Sequence, residues 1–274
     1  MNVKLIAFDL DGTLLHDDKS LSRRTLRALE AAHGKGALLV PATGRVFAGL
    51  PEALRLMPFS RYHILINGAL VYDAKADRVL RRAEMSNELT LRLMEHMAAL
   101  DVLYDCYKDG RGYVSAGLYA RASDYISDKG ILDLFYRTRT PVPDLIDFLR
   151  REGGSVQKAQ MHFRDLKLRK KELELLPALF PETAVSTSIP TNIEINIAAA
   201  NKGDALLVLA SLLGVAPEET VAFGDGTNDL SLLRAAGLGV AMGNAEFVVK
   251  AAADAVCDDN EHDGVAKYLE ELMG

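Results

Sequence analysis

Four short segments hold residues of the types and spacings that could do chemistry. The first is Asp9-Leu10-Asp11-Gly12-Thr13-Leu14. In an extended chain residues two apart point the same way, so Asp9 and Asp11 can share one face. Two close carboxylates repel unless a cation lies between them or one is protonated. Oxygen ligands of this kind suit a hard ion such as Mg²⁺. Taken alone, the pair reads more readily as a strand-to-turn passage with a capping Asp and a turn glycine. The second segment is Thr43-Gly44-Arg45, where a hydroxyl, a glycine amide and a helix start could hold an anion. An N-cap with a turn glycine would look the same. The third is Lys202-Gly203, a cation at a helix start, where the helix dipole favours negative charge. Such a lysine makes sense facing an anion, or simply facing solvent. The fourth is Gly224-Asp225-Gly226-Thr227-Asn228-Asp229, which puts two acids and an amide on one tight loop. Together these segments supply the oxygens for a divalent ion and the donors for a phosphate.

Each segment sits where an α/β fold would place a ligand. Residues 3–8 form a short apolar run ending in acids, as a buried parallel strand would. A helix is expected over 22–32, a strand over 37–40, a helix over 46–57 that Pro51 kinks or delays, and a strand over 63–66. The last third repeats the alternation: helix 202–213, strand 221–223, helix 230–236, strands 238–241 and 255–257, and helix 262–272. That order implies a parallel sheet with right-handed crossovers, whose strand C-termini form the ligand edge. The middle differs. Asp109-Gly110 sits between two apolar runs as a hairpin signal, and helices are expected over 89–100, 144–151 and 166–176. The fold class is therefore α/β, a Rossmann-like parallel-sheet core at 1–81 and 190–274. An α+β cap is inserted at 82–189, its antiparallel sheet carrying helices on one face.

Composition narrows the class. Of 274 residues, 49% are hydrophobic and 26% charged, the balance of a protein with a real core. A net charge of −6 gives no basic excess for nucleic acid or an anionic membrane, so neither partner is expected. Two cysteines, Cys106 and Cys257, form no CxxC pair for zinc or redox chemistry. No uninterrupted apolar run is long enough to span a bilayer, and a cytoplasmic location is the expectation. His33, His63, His96 and His162 are dispersed without metal spacing, and His262 lies in the acidic stretch 258–263.

The order DLDGTL, TGR, KG and GDGTND resembles the haloacid dehalogenase superfamily of phosphohydrolases. The insert between TGR and KG is similar in layout to the Cof-type phosphatases with a large α+β cap. So are the Asn67-Gly68-Ala69 turn, the segment Ala241-Met242-Gly243-Asn244-Ala245, and Asp263-Gly264-Val265. The resemblance implies that Asp9 is the nucleophile, forming an aspartyl-phosphate, and that Asp11 is general acid and then base. It further implies Mg²⁺ held by Asp9, the Asp11 carbonyl and Asp225, with Asp229 supporting the metal from behind or through water. Thr43, the Gly44 amide, Lys202 and Asn228 would grip the phosphoryl oxygens, with the Leu10 amide helping. One departure is Gly226, where the Cof pattern often has Asn. Arg45 could reach the organic part of the substrate or lie in solvent. Tyr104, Tyr107, Lys108, Arg111 and Tyr113 could line a lid over the leaving group or form ordinary sheet surface.

The implied activity is Mg²⁺-dependent hydrolysis of a small phosphorylated metabolite, such as a sugar phosphate. A phosphohexomutase would need the same Asp9 and Asp11. A non-catalytic phosphometabolite sensor would have no use for Asp11. A P-type pump shares the GDGxND loop but lacks an acid at the place of Asp11 and needs membrane spans.

Overall fold

A computed structural model describes residues 2–274, which divide into two compact units. The first is made of the chain up to Arg45, Leu50–Arg81 and Asn201–Gly274. Its centre is a five-stranded sheet in the order Ala255–Val256, Leu238–Ala241, Thr220–Gly224, Leu5–Phe8, Leu38–Pro41, with all four pairings parallel. All four residues of Leu5–Phe8 are fully buried, as a central strand covered on both faces requires. Burial of Leu5, Ile6 and Phe8 is worth roughly 1.5–3 kcal/mol each. The helices Arg23–Gly34 and Gly264–Met273 pack together, and so do Lys202–Leu212 and Leu230–Ala235. Ser22 caps the first of them, its hydroxyl accepting from the Thr25 amide at 3.0 Å.

Two elements depart from the expected pattern. The single helix expected over 46–57 is a 3₁₀ turn, Phe47–Gly49, followed by a short α-helix, Glu52–Arg55. Pro51 sits at the N-cap of the second piece, where its missing N–H costs nothing. The strand Tyr62–Leu65 belongs to a separate three-stranded sheet with Leu70–Asp73 and Arg78–Arg82, antiparallel to its neighbour. A parallel bridge, Ala42↔Ile64, ties it to the chain leaving the central sheet.

The second unit comprises Val46–Gly49 and Arg82–Ala200. It holds a six-stranded sheet in the order Thr183–Ser186, Asn192–Ile197, Lys158–Phe163, Val102–Lys108, Arg111–Ser115, Arg139–Val142. Its pairings are antiparallel except the last, which is parallel. The strand Asn192–Ile197 is zipped between two others in this sheet, so the unit runs on to Ala200 rather than to 189. The hairpin at Asp109-Gly110 has positive φ at both residues (51° and 73°), the geometry that two-residue turns between twisted strands require.

Period-2 alternation gives this sheet two different faces. Tyr104, Cys106, Met161, Ile193 and Ile195 pack into a core with Leu89, Leu93, Leu149 and Leu176 from three helices. The opposite face carries buried polar groups: Asp105 paired with Arg139 at 3.2 Å, and Lys158 with Glu194 at 3.1 Å. Helices were expected on one face only. However, Leu103 and Val114, on this second face, pack with Ala122, Tyr125, Ile126 and Phe135, so it is partly covered too. Of the residues once considered for a lid, Tyr107 is buried between the Arg139 guanidinium and the Lys158 amine, 4.5 and 4.7 Å from its ring centroid. Tyr104 belongs to the apolar core, and Tyr113 stacks on Phe148.

Each unit buries one neutral histidine. Burial pulls His63 down to about 4, and burial together with Arg139 pulls His162 down to about 3, from an ordinary value of 6.5. Between pH 6.5 and those values the unfolded chain takes up a proton that the folded chain refuses, so stability falls as pH drops through that window. Above pH 6.5 the term is fully favourable and constant. Each unit should therefore lose roughly 2 kcal/mol between pH 7 and pH 5 from its histidine. Urea unfolding followed at both pH values checks this, with His162→Gln flattening the dependence of the second unit. An identical pH response in that variant would refute the assignment.

Candidate active site

The site is built on the C-terminal edge of the five-stranded sheet, wholly within the first unit. Asp9 directly follows Leu5–Phe8, and its amide donates to the Phe223 carbonyl at 3.0 Å. On one side, strand Thr220–Gly224 delivers the Asp225 loop. On the other, Leu38–Pro41 delivers Thr43, with Phe8 opposite Pro41 in register. Lys202 opens its helix behind an Asn201 cap and is fully buried.

Lys202 organises the centre. Its ammonium donates to Asp9 Oδ1 and to Asp229 Oδ1, both at 2.6 Å. The other Asp229 oxygen accepts from the amides of Asp225 and Gly226, each at 3.0 Å. Both Asp229 oxygens are thus engaged, which fits a supporting part and leaves the foremost ligand positions to others. Thr13 donates its hydroxyl proton to Asp225 Oδ1 at 2.7 Å. Two glycines permit the crowding. A Cβ at Gly12, which has φ +79°, would lie 2.4 Å from Asp225 Oδ2, and one at Gly224 would lie 2.5 Å from Asp229 Cβ.

Electrostatics follow from this packing. Burial pushes the Asp9 carboxyl well above the usual carboxylate range; Asp229 and Asp225 reinforce the push and Lys202 opposes it. Burial and the neighbouring Asp229 push Asp225 up to about 7. Lys202 is held protonated, because Asp229 and Asp9 outweigh the cost of burying it. Asp9, Asp225 and Asp229 present carboxylate oxygens within 4.8 Å of one another. Fully ionised, three carboxylates against one ammonium would carry two excess negative charges on all-oxygen donors, which a divalent hard cation would neutralise. The residues present therefore fit Mg²⁺.

Asp11 faces differently. Arg45 grips it with a two-pronged fork, Nε to Oδ2 at 2.8 Å and Nη2 to Oδ1 at 2.6 Å, and Lys19 adds a contact to Oδ1 at 3.0 Å. Burial raises the Asp11 carboxyl, but Arg45 and Lys19 more than offset it and hold it below its ordinary value. Arg45 is thus bound to the acid rather than lying in solvent. Thr43 accepts the Arg45 amide at 3.2 Å on its hydroxyl, using a lone pair and leaving the hydroxyl proton to donate. Asn228 donates to Asn67 Oδ1 at 3.4 Å, and the Asn67 amide donates to the Thr43 carbonyl at 3.0 Å, tying the Asn228 loop to Thr43. Gly44 lies between Thr43 and Arg45 in this turn, and Leu10 is fully buried between the two catalytic candidates.

Four residues enter the site for which sequence reading proposed no role there: Thr13, Lys19, Asn67 and Asn244. Thr13 stood inside the quoted motif and needed only a partner. Asn67 was read as a turn. It lies with Ile66 and Gly68 in three successive residues of positive φ (56°, 54° and 92°), a costly conformation for the β-branched Ile66. A Cβ on Gly68 would strike the Asn201 carbonyl beside Lys202, so this turn lies against the start of the lysine helix. Asn244 donates to the Gly12 carbonyl at 2.8 Å, bracing the first motif from a loop far along the chain.

A parallel sheet that gathers three carboxylates and a buried lysine at its C-terminal rim is an α/β site with donors for a divalent cation and an anion. The chain belongs to the haloacid dehalogenase-like hydrolase family, whose model matches residues 6–269. It is an enzyme, a hydrolase of the phosphatase class. A 5-amino-6-(5-phospho-D-ribitylamino)uracil phosphatase of Bacillus subtilis is 30% identical over 269 residues, covering 98% of this chain and 95% of its own. A pyridoxal phosphate phosphatase of Escherichia coli is 31% identical over 281 residues, covering 98% of each chain. A solved haloacid dehalogenase-like hydrolase from B. subtilis superposes with a TM-score of 0.84 at 26% identity, covering 98% of this chain and 100% of the other. Among the described residues no helix is long and apolar enough to cross a membrane.

Proposed function

We propose that this enzyme is a Mg²⁺-dependent phosphatase of small phosphorylated metabolites, working through an aspartyl-phosphate on Asp9. The observation that carries the reading is the convergence of Asp9, Lys202, Asp225 and Asp229 at one sheet edge, with Asp11 beside them on a separate pair of cations. The activities for which the two relatives are named, on a phosphoribitylamino-uracil and on pyridoxal phosphate, support a phosphomonoester of metabolite size.

In this mechanism an Asp9 oxygen attacks phosphorus and the bond to the leaving oxygen breaks. Asp11 supplies the proton that the leaving oxygen takes. Asp11 then removes a proton from water, the water oxygen attacks phosphorus, and the Asp9–phosphate bond breaks to release inorganic phosphate. The Lys202 ammonium and the Thr43 and Asn228 donors would hold phosphoryl oxygens, with the Leu10 and Gly44 amides beside them. Asp9, the Asp11 carbonyl and Asp225 would hold Mg²⁺, with Asp229 fixing the Asp225 loop. When bound, the ion offsets the repulsion between an anionic nucleophile and an anionic phosphate. Arg45 holds Asp11, and its position suits orienting that acid more than reading the leaving group.

Turnover of p-nitrophenyl phosphate and of a metabolite-phosphate panel tests the reading. Activity should require Mg²⁺, fall to background in EDTA and return on adding Mg²⁺. EDTA-resistant turnover would contradict the metal assignment. Isomerised product with little phosphate release would favour the mutase reading, and binding without turnover the sensor.

A further inference from the structure

Asp11 takes two cations, and only Arg45 belongs to a segment whose chemistry the sequence announces. The other, Lys19, comes from a tight turn over residues 16–20. The His16 amide donates to the Ser20 carbonyl at 3.0 Å, and the Lys19 amide to the His16 carbonyl at 2.9 Å. The Ser20 amide donates to Asp18 Oδ1 at 2.8 Å. Lys19 itself sits at φ +67°, the left-handed region that favours glycine. A lysine there carries a backbone cost that glycine would not.

The turn is anchored from outside. The Asp17 amide donates to Glu261 at 2.7 Å, and Asn260 donates to Asp17 Oδ1 and to the Leu15 carbonyl, both at 3.1 Å. His16 meets Asp263 at 3.3 Å. The Lys19 backbone is thereby fixed within reach of the active-site acid. Its ammonium lies 3.0 Å from Asp11 Oδ1, the oxygen that also takes Arg45 Nη2. Arg45 approaches from the buried side, its side chain 11% exposed. Lys19 closes the solvent side at 40%. The fork sets the plane of the carboxylate, and the lysine blocks its rotation toward water.

We infer that Lys19 is a positioning residue, holding the ionised Asp11 carboxylate in the orientation in which it takes the proton from water. The inference rests on the phosphatase reading, because it assigns Asp11 the proton-transfer role. Acid–base help is worth about 10²- to 10⁴-fold, so losing the fixed orientation of the acid forfeits part of that factor.

The test is steady-state hydrolysis of p-nitrophenyl phosphate with Mg²⁺ by the full-length enzyme and its Lys19→Met, Lys19→Gly and Lys19→Arg variants. Expected are a fall in kcat of about tenfold or more in Met and Gly, KM within about threefold of the parent, and recovery of most of the loss in Arg. Lys19→Gly removes the amine while easing the backbone, so its thermal midpoint should equal or exceed that of the parent, separating lost orientation from lost structure. Unchanged kcat in Met and Gly would overturn the inference. So would KM rising with kcat intact, which marks a substrate contact, or a loss that Arg fails to recover. An unaltered enzyme that turns nothing over defeats the phosphatase reading and this assignment with it; an active enzyme indifferent to Lys19 defeats this assignment alone.

Discussion

Asp9→Asn should abolish phosphatase turnover, by at least about 10³-fold, while leaving the folded protein as stable as before or more so. The amide keeps the size of the carboxylate but has no anionic oxygen to attack phosphorus. The stability half follows from the site's own charges. Asp9 is buried beside Asp225 and Asp229, and burial plus those neighbours already disfavours its charge. Lys202 keeps its second partner, Asp229, at 2.6 Å, so the substitution strands no cation. The stabilising contact that is lost, Lys202 to Asp9 Oδ1, can be replaced by the amide oxygen of Asn. Retained activity would refute the nucleophile assignment. A large loss of stability would show that Asp9 serves chiefly as a structural counter-ion.

Lys202→Met should do both kinds of damage. The lysine is fully buried and is the ammonium that both Asp9 and Asp229 bond. Removing it leaves buried carboxylates without compensation, and breaking a buried ion pair by deleting one partner costs about 3–5 kcal/mol. Catalysis should fall by about 10² or more as well, because in the proposed mechanism this cation holds a phosphoryl oxygen. Lys202→Arg should not restore the parent, since the guanidinium fork is larger than an ammonium and the position is fully buried. Urea unfolding of the purified variant is the check. A loss under about 1 kcal/mol would mean that the carboxylates find other compensation.

The contrast between these two variants reflects what was legible in the sequence. The motifs were readable because each falls where a buried apolar strand runs into polar residues: 5–8 into Asp9, 38–41 into Thr43, and 220–224 into Asp225. A central parallel strand must be apolar throughout, so the abrupt change marks the rim. Lys202 was readable as a cation that works against its own helix dipole. The sheet to which Asn192–Ile197 belongs was not legible, because alternating Asn, Ile and Glu fits an edge of either sheet and only its pairing with 158–163 decides. The strand at 62–65 was assigned to the parallel sheet because apolar runs carry no sign of direction. The clamp on Asp11 was illegible for a different reason. Lys19 reaches the acid from a turn in which its backbone is left-handed, and no spacing rule encodes that turn. Asn67 was legible only as part of a turn; its contact with Asn228 depends on the left-handed run in which it lies.

The central claim is that Asp9 becomes covalently phosphorylated. Acid quench of the enzyme during turnover with Mg²⁺ and substrate, borohydride reduction, and mass spectrometry of the peptide spanning residues 5–23 tests it directly. Borohydride converts an acyl phosphate to an alcohol, so residue 9 should appear as homoserine in enzyme quenched with substrate and as aspartate without it. Aspartate at residue 9 under every condition, with phosphate still being released, would contradict the claim.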